Sequence, residues 1–281
     1  MHSNRISFGV RGVSLATILI LLTSLVNAQD PRTQDFPKQR QFPTKLPPKE
    51  KTWIFIMAGQ SNMAGRGVVA PEDTLPNPRI LSINALNELT IAKEPLHFYE
   101  PALTGLDCGV SFAREIIMHE PSITILLIPV AVGGSSSGQW LGDSLHRGVR
   151  LLTNFRDRVD AAKKYGTIKA ILWHQGEADS ESGLIQQYDS RLGKLFSAFR
   201  ESCGDATLPV LIGELGSFSD NQANWDLINQ SIRRYATRDK NAFVVETKDL
   251  RSKDDKIHFN AEGQRIMGRR MAEMYLQKAK R

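Results

Sequence analysis

From residue 53 onwards, short apolar runs alternate along the chain with longer amphipathic stretches. The short runs are apolar at successive positions, which is typical of parallel strands that are covered on both faces. They predict strands at 53–58, 80–83, 123–131, 168–173, 208–213 and 242–246. The amphipathic stretches predict helices at 110–119, 145–165, 184–202, 224–237 and 261–278. This alternation predicts an α/β fold, with a doubly wound, mainly parallel sheet of about five strands flanked by helices.

The first 28 residues have the pattern of a signal peptide. Arg5 and Arg11 precede the apolar stretch 13–26, and small residues around Ala28 suit cleavage by a signal peptidase. The apolar core has 14 residues, fewer than the roughly 20 that a spanning helix needs. We predict a secreted or periplasmic protein with no membrane span after processing; a retained membrane anchor is the alternative.

Residues 29–51 are polar and rich in proline, without apolar periodicity. Such a segment buries little surface, so we predict an extended leader or tether. Residues 52–281 contain no second linker and no internal repeat, and we predict that they form one domain.

Charge and cysteine content add little to this picture. The formal net charge is +6, but the basic residues are scattered at helical spacings and form no patch interleaved with aromatic residues. We therefore expect no nucleic-acid partner.

The histidine spacings match no metal motif, so no metal or other cofactor is expected. Cys108 and Cys203 could form a disulfide in an exported protein, or remain buried free thiols.

Polar segments follow four of the predicted strands, at 59–62, 133–138, 174–179 and 255–258. Active sites of open parallel sheets form beyond the carboxyl ends of the strands. The four segments are therefore predicted to share one edge of the sheet.

Ser61, Asp255 and His258 are candidates for a nucleophile, an orienting acid and a base. Asp255 and His258 lie three residues apart before the last predicted helix, so the carboxylate can bind one ring nitrogen while the other faces a serine. The alternative is that Asp255 caps the helix and His258 lies at the surface. His174 is the other possible base, although its place directly after a strand favours a buried supporting role.

An ester hydrolase also needs donors for the oxyanion of its tetrahedral intermediate. The candidates are the backbone N–H of Ser61, a backbone N–H of Gly133 or Gly134, and the side-chain amide of Gln175. The glycines could equally be turn residues, and Gln175 could pair with backbone groups.

The segments "GQSNMAGRG", "VAVGGSSSGQW", "WHQGEAD" and "DKIHFNAEG", in this order, resemble the SGNH hydrolase superfamily. The resemblance is to its sialate O-acetylesterase-like branch, which includes acetylxylan esterases. It implies a flavodoxin-like three-layer fold, with Ser61 as nucleophile, His258 as base and Asp255 as its orienting acid. It also implies an oxyanion hole of Ser61, one glycine of the pair Gly133-Gly134, and Gln175 in place of the superfamily's usual asparagine.

The function expected from this resemblance is a metal-independent serine esterase that removes O-acetyl groups from acetylated carbohydrates through an acyl-enzyme. Acetylxylan, another polysaccharide and sialic acid are all possible substrates. Gln60, Asn62 and Glu177 are expected to bind substrate or support loops. A carbohydrate-binding module without catalysis is the alternative, and the intact serine, histidine and aspartate argue against it. The sequence predicts no oligomeric state.

Overall fold

The computed structural model describes residues 30–181 and 183–280. The predicted signal peptide lies outside these residues. The strands are β1 (Thr52–Gly59), β2 (Ile80–Ile83), β3 (Leu89–Ile91), β4 (Thr124–Pro129), β5 (Leu145–His146), β6 (Val149–Arg150), β7 (Thr167–His174), β8 (Val210–Gly213) and β9 (Ala242–Val245). The helices are α1 (Ser61–Ala64), α2 (Gly109–His119), α3 (Ser137–Leu141), α4 (Leu151–Lys163), α5 (Glu177–Glu181), α6 (Ile185–Cys203), α7 (Gln222–Ala236) and α8 (Ala261–Met274).

Seven of the described strands form one sheet in the order β3-β2-β4-β1-β7-β8-β9. All neighbours in it are parallel except β2 and β3. The predicted α/β fold is confirmed, and each predicted strand is present. The sheet is larger than the expected five or so strands chiefly because β3 adds a three-residue antiparallel edge, which is too short to give a pattern in the sequence.

The core lies on both faces of this sheet, which explains why the strands are apolar at successive positions. Along β1, Ile54 and Ile56 face one buried cluster, while Phe55 and Met57 face the other. The first cluster includes residues of α4, α6 and α7, and the second includes residues of α2 and α8. The chain therefore has the predicted three layers.

The predicted helix 145–165 is wrong at its beginning. Residues 145–150 form the antiparallel hairpin of β5 and β6, and α4 begins only at Leu151. The turn of this hairpin places Arg147 and Gly148 at positive φ, a conformation that an α-helix cannot contain.

Residues of the predicted extended leader or tether (29–51) contact the domain over the described part, 30–51. The Arg32 guanidinium donates to the carbonyl oxygens of Ala102 and Thr104, and Gln41 accepts a backbone hydrogen bond from Ile91 in β3. Polar contacts with backbone carbonyls therefore hold a segment that has few apolar residues to bury.

The two cysteines are free thiols. Cys108 belongs to the cluster under α2, whereas Cys203 packs against the cluster on the other face of the sheet. The sheet separates them, so the disulfide alternative is wrong. Over the described part of the chain, no helix has both the length and the apolar character needed to cross a membrane.

Candidate active site

Ser61 occupies the first position of α1, directly beyond the carboxyl end of β1. Gly59 has φ +139°, and a Cβ there would overlap the carbonyl oxygen of His174 on the neighbouring strand. Glycine is therefore required where β1 and β7 approach each other. The chain then turns at Gln60, whose N–H donates to the His174 carbonyl at 3.0 Å, and α1 begins with the N–H of Ser61 outside any intrahelical bond.

Asp255 and His258 lie in the loop between β9 and α8, and that loop brings both of them to Ser61. The Ser61 hydroxyl lies 2.9 Å from His258 Nε2, and His258 Nδ1 lies 2.8 Å from Asp255 Oδ2. The other oxygen of Asp255 accepts the backbone N–H groups of Ile257 and His258. Because the carboxylate accepts from Nδ1–H, Nε2 is left to accept the proton of Ser61. Asn260, not Asp255, caps α8.

Asn62 fastens the turn at Ser61 to the loop that carries His258. Its amide nitrogen donates to Glu177 Oε1 at 2.6 Å and to the carbonyl of Ile257 at 3.0 Å, and its amide oxygen accepts the N–H of Phe259. Among the two roles expected for Asn62, the structure shows loop support.

Gln175 does not occupy the predicted position. Its amide nitrogen lies 2.6 Å from Asp179 Oδ2 and 3.2 Å from both Gln60 Oε1 and the Ser135 carbonyl. The side chain is fully buried, and it is not among the described residues that line the cavity at Ser61. Since its amide protons are engaged by these acceptors, Gln175 supports Gln60 rather than presenting a donor to the cavity.

The two glycines of the pair differ in their hydrogen bonding. The N–H of Gly133 donates to Glu100 Oε2 at 2.6 Å, and a Cβ at Gly133 would overlap Arg66 and Glu100. Gly134 is exposed at φ +74°, and its N–H has no acceptor among the described residues. Of the two glycines, Gly134 is therefore the one whose N–H is not committed to an acceptor among the described residues.

Glu100 was missed by the sequence reasoning, although it organises one side of the site. Its buried carboxylate pairs with Arg66 at 2.9 Å and with Arg147, in addition to Gly133. Burial alone would raise the pKa of Glu100, but Arg66, the Gly133 N–H and Arg147 outweigh burial and lower it. The residue stands in an irregular loop, where no periodicity or motif marks it.

His174 is a supporting residue rather than a base. It is fully buried, its Nε2–H donates to the Glu214 carbonyl at 2.9 Å, and burial lowers its pKa. Glu177, unlike His174, lines the cavity, and its Oε2 has no hydrogen-bond partner among the described residues.

Ser61 and His258 open into a cavity of about 540 Å³, a size typical of small-molecule sites. Among the described residues, the lining carries four basic and three acidic side chains besides His258. The residues concerned are Arg32, Arg66, Arg147, Lys253, Asp30, Glu177 and Asp255. The described residues contain no cluster of three or more histidine, cysteine or acidic side chains that could hold a metal ion.

Residues 51–277 match the model of the family described as carbohydrate esterase, sialic acid-specific acetylesterase. The chain belongs to this carbohydrate esterase family. It is therefore a carboxylic ester hydrolase whose substrates are acetylated carbohydrates, and the predicted resemblance is confirmed.

Known members and structures agree with this assignment. A probable carbohydrate esterase of Arabidopsis thaliana is 30% identical over 256 residues, which cover 82% of this chain and 92% of that protein. An X-ray structure of an Arabidopsis thaliana protein superposes with a TM-score of 0.73 at 28% identity, covering 83% of this chain and all of the other. The fold is also that of NanS (TM-score 0.63, 17% identity, 83% and 98% coverage) and of a carbohydrate acetylesterase from Xanthomonas citri (0.61, 15%, 82% and 56%).

The contribution of Asp255 to the stability of this carbohydrate esterase should decrease at acid pH. Burial raises the pKa of Asp255, but hydrogen bonds from the His258 ring and from the N–H groups of His258 and Ile257 outweigh it, so the pKa falls below 3.8. A carboxylate with a lowered pKa contributes stability above its unfolded pKa and loses that contribution as the pH falls through its folded pKa. The difference in unfolding midpoint between wild type and Asp255→Asn should therefore shrink as the pH falls from about pH 5 towards about pH 3.

Urea unfolding at a series of pH values measures this difference. Asp157→Asn, at an exposed carboxylate on α4, is the matched control and should give no such trend. A difference that grows on acidification would contradict the expectation.

Proposed function

We propose that this chain is an exported serine esterase that removes O-acetyl groups from polysaccharide sugars, with Ser61, His258 and Asp255 as its catalytic residues. The observation that carries the proposal is the continuous path of two hydrogen bonds, of 2.9 and 2.8 Å, from the Ser61 hydroxyl through His258 to Asp255. Export rests on the pattern of residues 1–28 alone.

In the first half of the reaction, Ser61 Oγ attacks the acetyl carbonyl carbon and His258 Nε2 takes the hydroxyl proton. The tetrahedral intermediate collapses, the carbon–oxygen bond to the sugar breaks, and His258 returns the proton to the leaving alcohol. In the second half His258 takes a proton from water, the hydroxide attacks the acetyl-serine, and acetate leaves as Ser61 regains its proton. Asp255 keeps the imidazole oriented and stabilises its protonated form.

The oxyanion of each intermediate is assigned to the N–H groups of Ser61 and Gly134. Gln60 supplies a third donor. Its Oε1 accepts hydrogen bonds from the Gln175 amide and from the N–H of Ala178, both at 3.2 Å. Gln60 lines the cavity, and its amide nitrogen is therefore the group available to donate there. One donor of this kind contributes about 3–4 kcal/mol to lowering the barrier.

A neutral sugar suits the cavity better than sialic acid does. Recognition of a carboxylate favours the planar fork of a guanidinium, whereas Arg66 and Arg147 already pair with Glu100, and Arg32 with Asp30. The remaining basic side chain among the described lining residues is Lys253, which offers an ammonium and no such fork. A non-catalytic carbohydrate-binding module has no support, because the chain belongs to an esterase family.

We expect acetate release from acetylated xylan or mannan to exceed that from O-acetylated sialic acid by about 10-fold or more, since an unpaired buried charge is costly. Acetate is measured over this panel at equal ester concentration, with the Ser61→Ala variant as the blank. Faster release from sialic acid would contradict the substrate preference, and release that Ser61→Ala matches would contradict the serine mechanism.

A further inference from the structure

The first described residues of the leader form part of the cavity at Ser61. Asp30 and Arg32 line it together with Ser61, His258 and Lys253. The leader is therefore close enough to touch a substrate whose acetyl group is placed at Ser61.

Arg32 holds this end of the leader in place. Its guanidinium donates to the carbonyl oxygens of Thr104 and Ala102, the second at 2.9 Å, and to Asp30 Oδ2 at 3.1 and 3.0 Å. The side chain is 13% exposed. With its donors committed to the protein, Arg32 fixes the leader instead of binding a ligand.

Asp30 is in a different position, because its side chain is 53% exposed. The backbone N–H of Arg32 and then its guanidinium lower the pKa of Asp30, and Lys253 acts in the same direction. The carboxylate is therefore ionised at neutral pH and keeps acceptor capacity towards the cavity. Lys253 adds a donor, since its side chain is 40% exposed and its ammonium lies 4.0 Å from Asp255.

An acetyl group fills only a small part of a cavity of about 540 Å³, so most of the space must take the alcohol portion of the ester. The Asp30 carboxylate can only accept hydrogen bonds and the Lys253 ammonium can only donate them. Sugar hydroxyls do both, so they can pair with either group.

We propose that Asp30 binds a hydroxyl of the sugar that carries the acetate, with Arg32 as its positioning residue and Lys253 as the adjoining donor. This inference rests on the proposed function. It makes the leader a determinant of specificity, which acts on the sugar and not on the acetyl group.

The test compares a sugar ester with an ester that has no hydroxyl groups. The kcat/KM of the full chain is measured for an acetylated xylo-oligosaccharide and for p-nitrophenyl acetate, and their ratio is the readout. Asp30→Ala and Arg32→Ala should each lower this ratio by about 3- to 10-fold, the effect of one hydrogen bond, through a higher KM for the sugar ester. Asp30→Asn keeps one oxygen acceptor and should lose less. Lys45→Ala, at an exposed leader residue away from the cavity, is the matched control and should keep the wild-type ratio.

The outcomes separate this inference from the proposed function. If wild type hydrolysed neither ester faster than the Ser61→Ala variant does, the proposed function and this inference would both be overturned. Ser61-dependent hydrolysis of the sugar ester, with Asp30→Ala giving the same ratio as Lys45→Ala, would overturn the inference alone. A ratio lowered through kcat with an unchanged KM would also overturn it, because a sugar contact of this kind acts on binding.

Discussion

Replacing Ser61 with alanine should lower kcat for acetyl-ester hydrolysis by at least about 10⁴-fold. The variant has no oxygen to form the acetyl-enzyme, so only water attack assisted by the oxyanion donors remains. The fold should persist, because among the described residues the Ser61 hydroxyl is hydrogen-bonded to His258 alone. Initial rates with p-nitrophenyl acetate and with an acetylated oligosaccharide measure the loss, and circular dichroism checks the fold.

The matched control is Ser202→Ala. The Ser202 hydroxyl donates to the Ala198 carbonyl within α6 and lies outside the four polar segments of the site, so its loss should leave kcat unchanged. A pre-steady-state burst of p-nitrophenol in wild type, missing from Ser61→Ala, would identify the acetyl-enzyme directly. Residual activity of more than a few per cent in Ser61→Ala would show that another group is the nucleophile.

The features that the sequence predicts well are those that repeat or that topology fixes. Strands that are apolar at successive positions require cover on both faces, and Phe55 and Ile56 in β1 indeed face separate clusters. Parallel strands present their carboxyl ends at one edge, which is why Ser61 and His258 meet although 197 positions separate them. The short helix α1, with four residues, could not be predicted because it is held by the turn at Gln60 and not by its own pattern.

Prediction from the sequence is wrong where a side chain has several possible hydrogen-bond partners. The type of residue at Gln175 fits an oxyanion donor, but its amide nitrogen donates to Asp179, four positions later. Glu100 and Arg66 form an ion pair although they are far apart in the sequence, and the residue types alone do not predict which charged side chains will pair. Arg32 binds backbone carbonyls, which every residue possesses, so its anchor points have no signature in the sequence.

Replacing His258 with alanine should lower kcat nearly as far as the loss of Ser61, by about 10⁴-fold or more. A serine hydroxyl is a weak nucleophile until a neighbour accepts its proton, and His258 Nε2 is the acceptor at 2.9 Å. His119→Ala, at an exposed histidine on α2, is the matched control and should retain wild-type kcat.

Two further measurements distinguish a base from a residue that merely holds the site together. Residues that act as one unit have non-additive effects, so the double variant Ser61→Ala/His258→Ala should be no slower than either single variant. Added imidazole should restore part of the activity of His258→Ala, since it can accept the proton in the vacated space, but none of the activity of Ser61→Ala, in which no hydroxyl remains to be activated. A double variant much slower than both single variants would mean that the two side chains act independently, and the hydrogen bond between them would then not be the path of the proton.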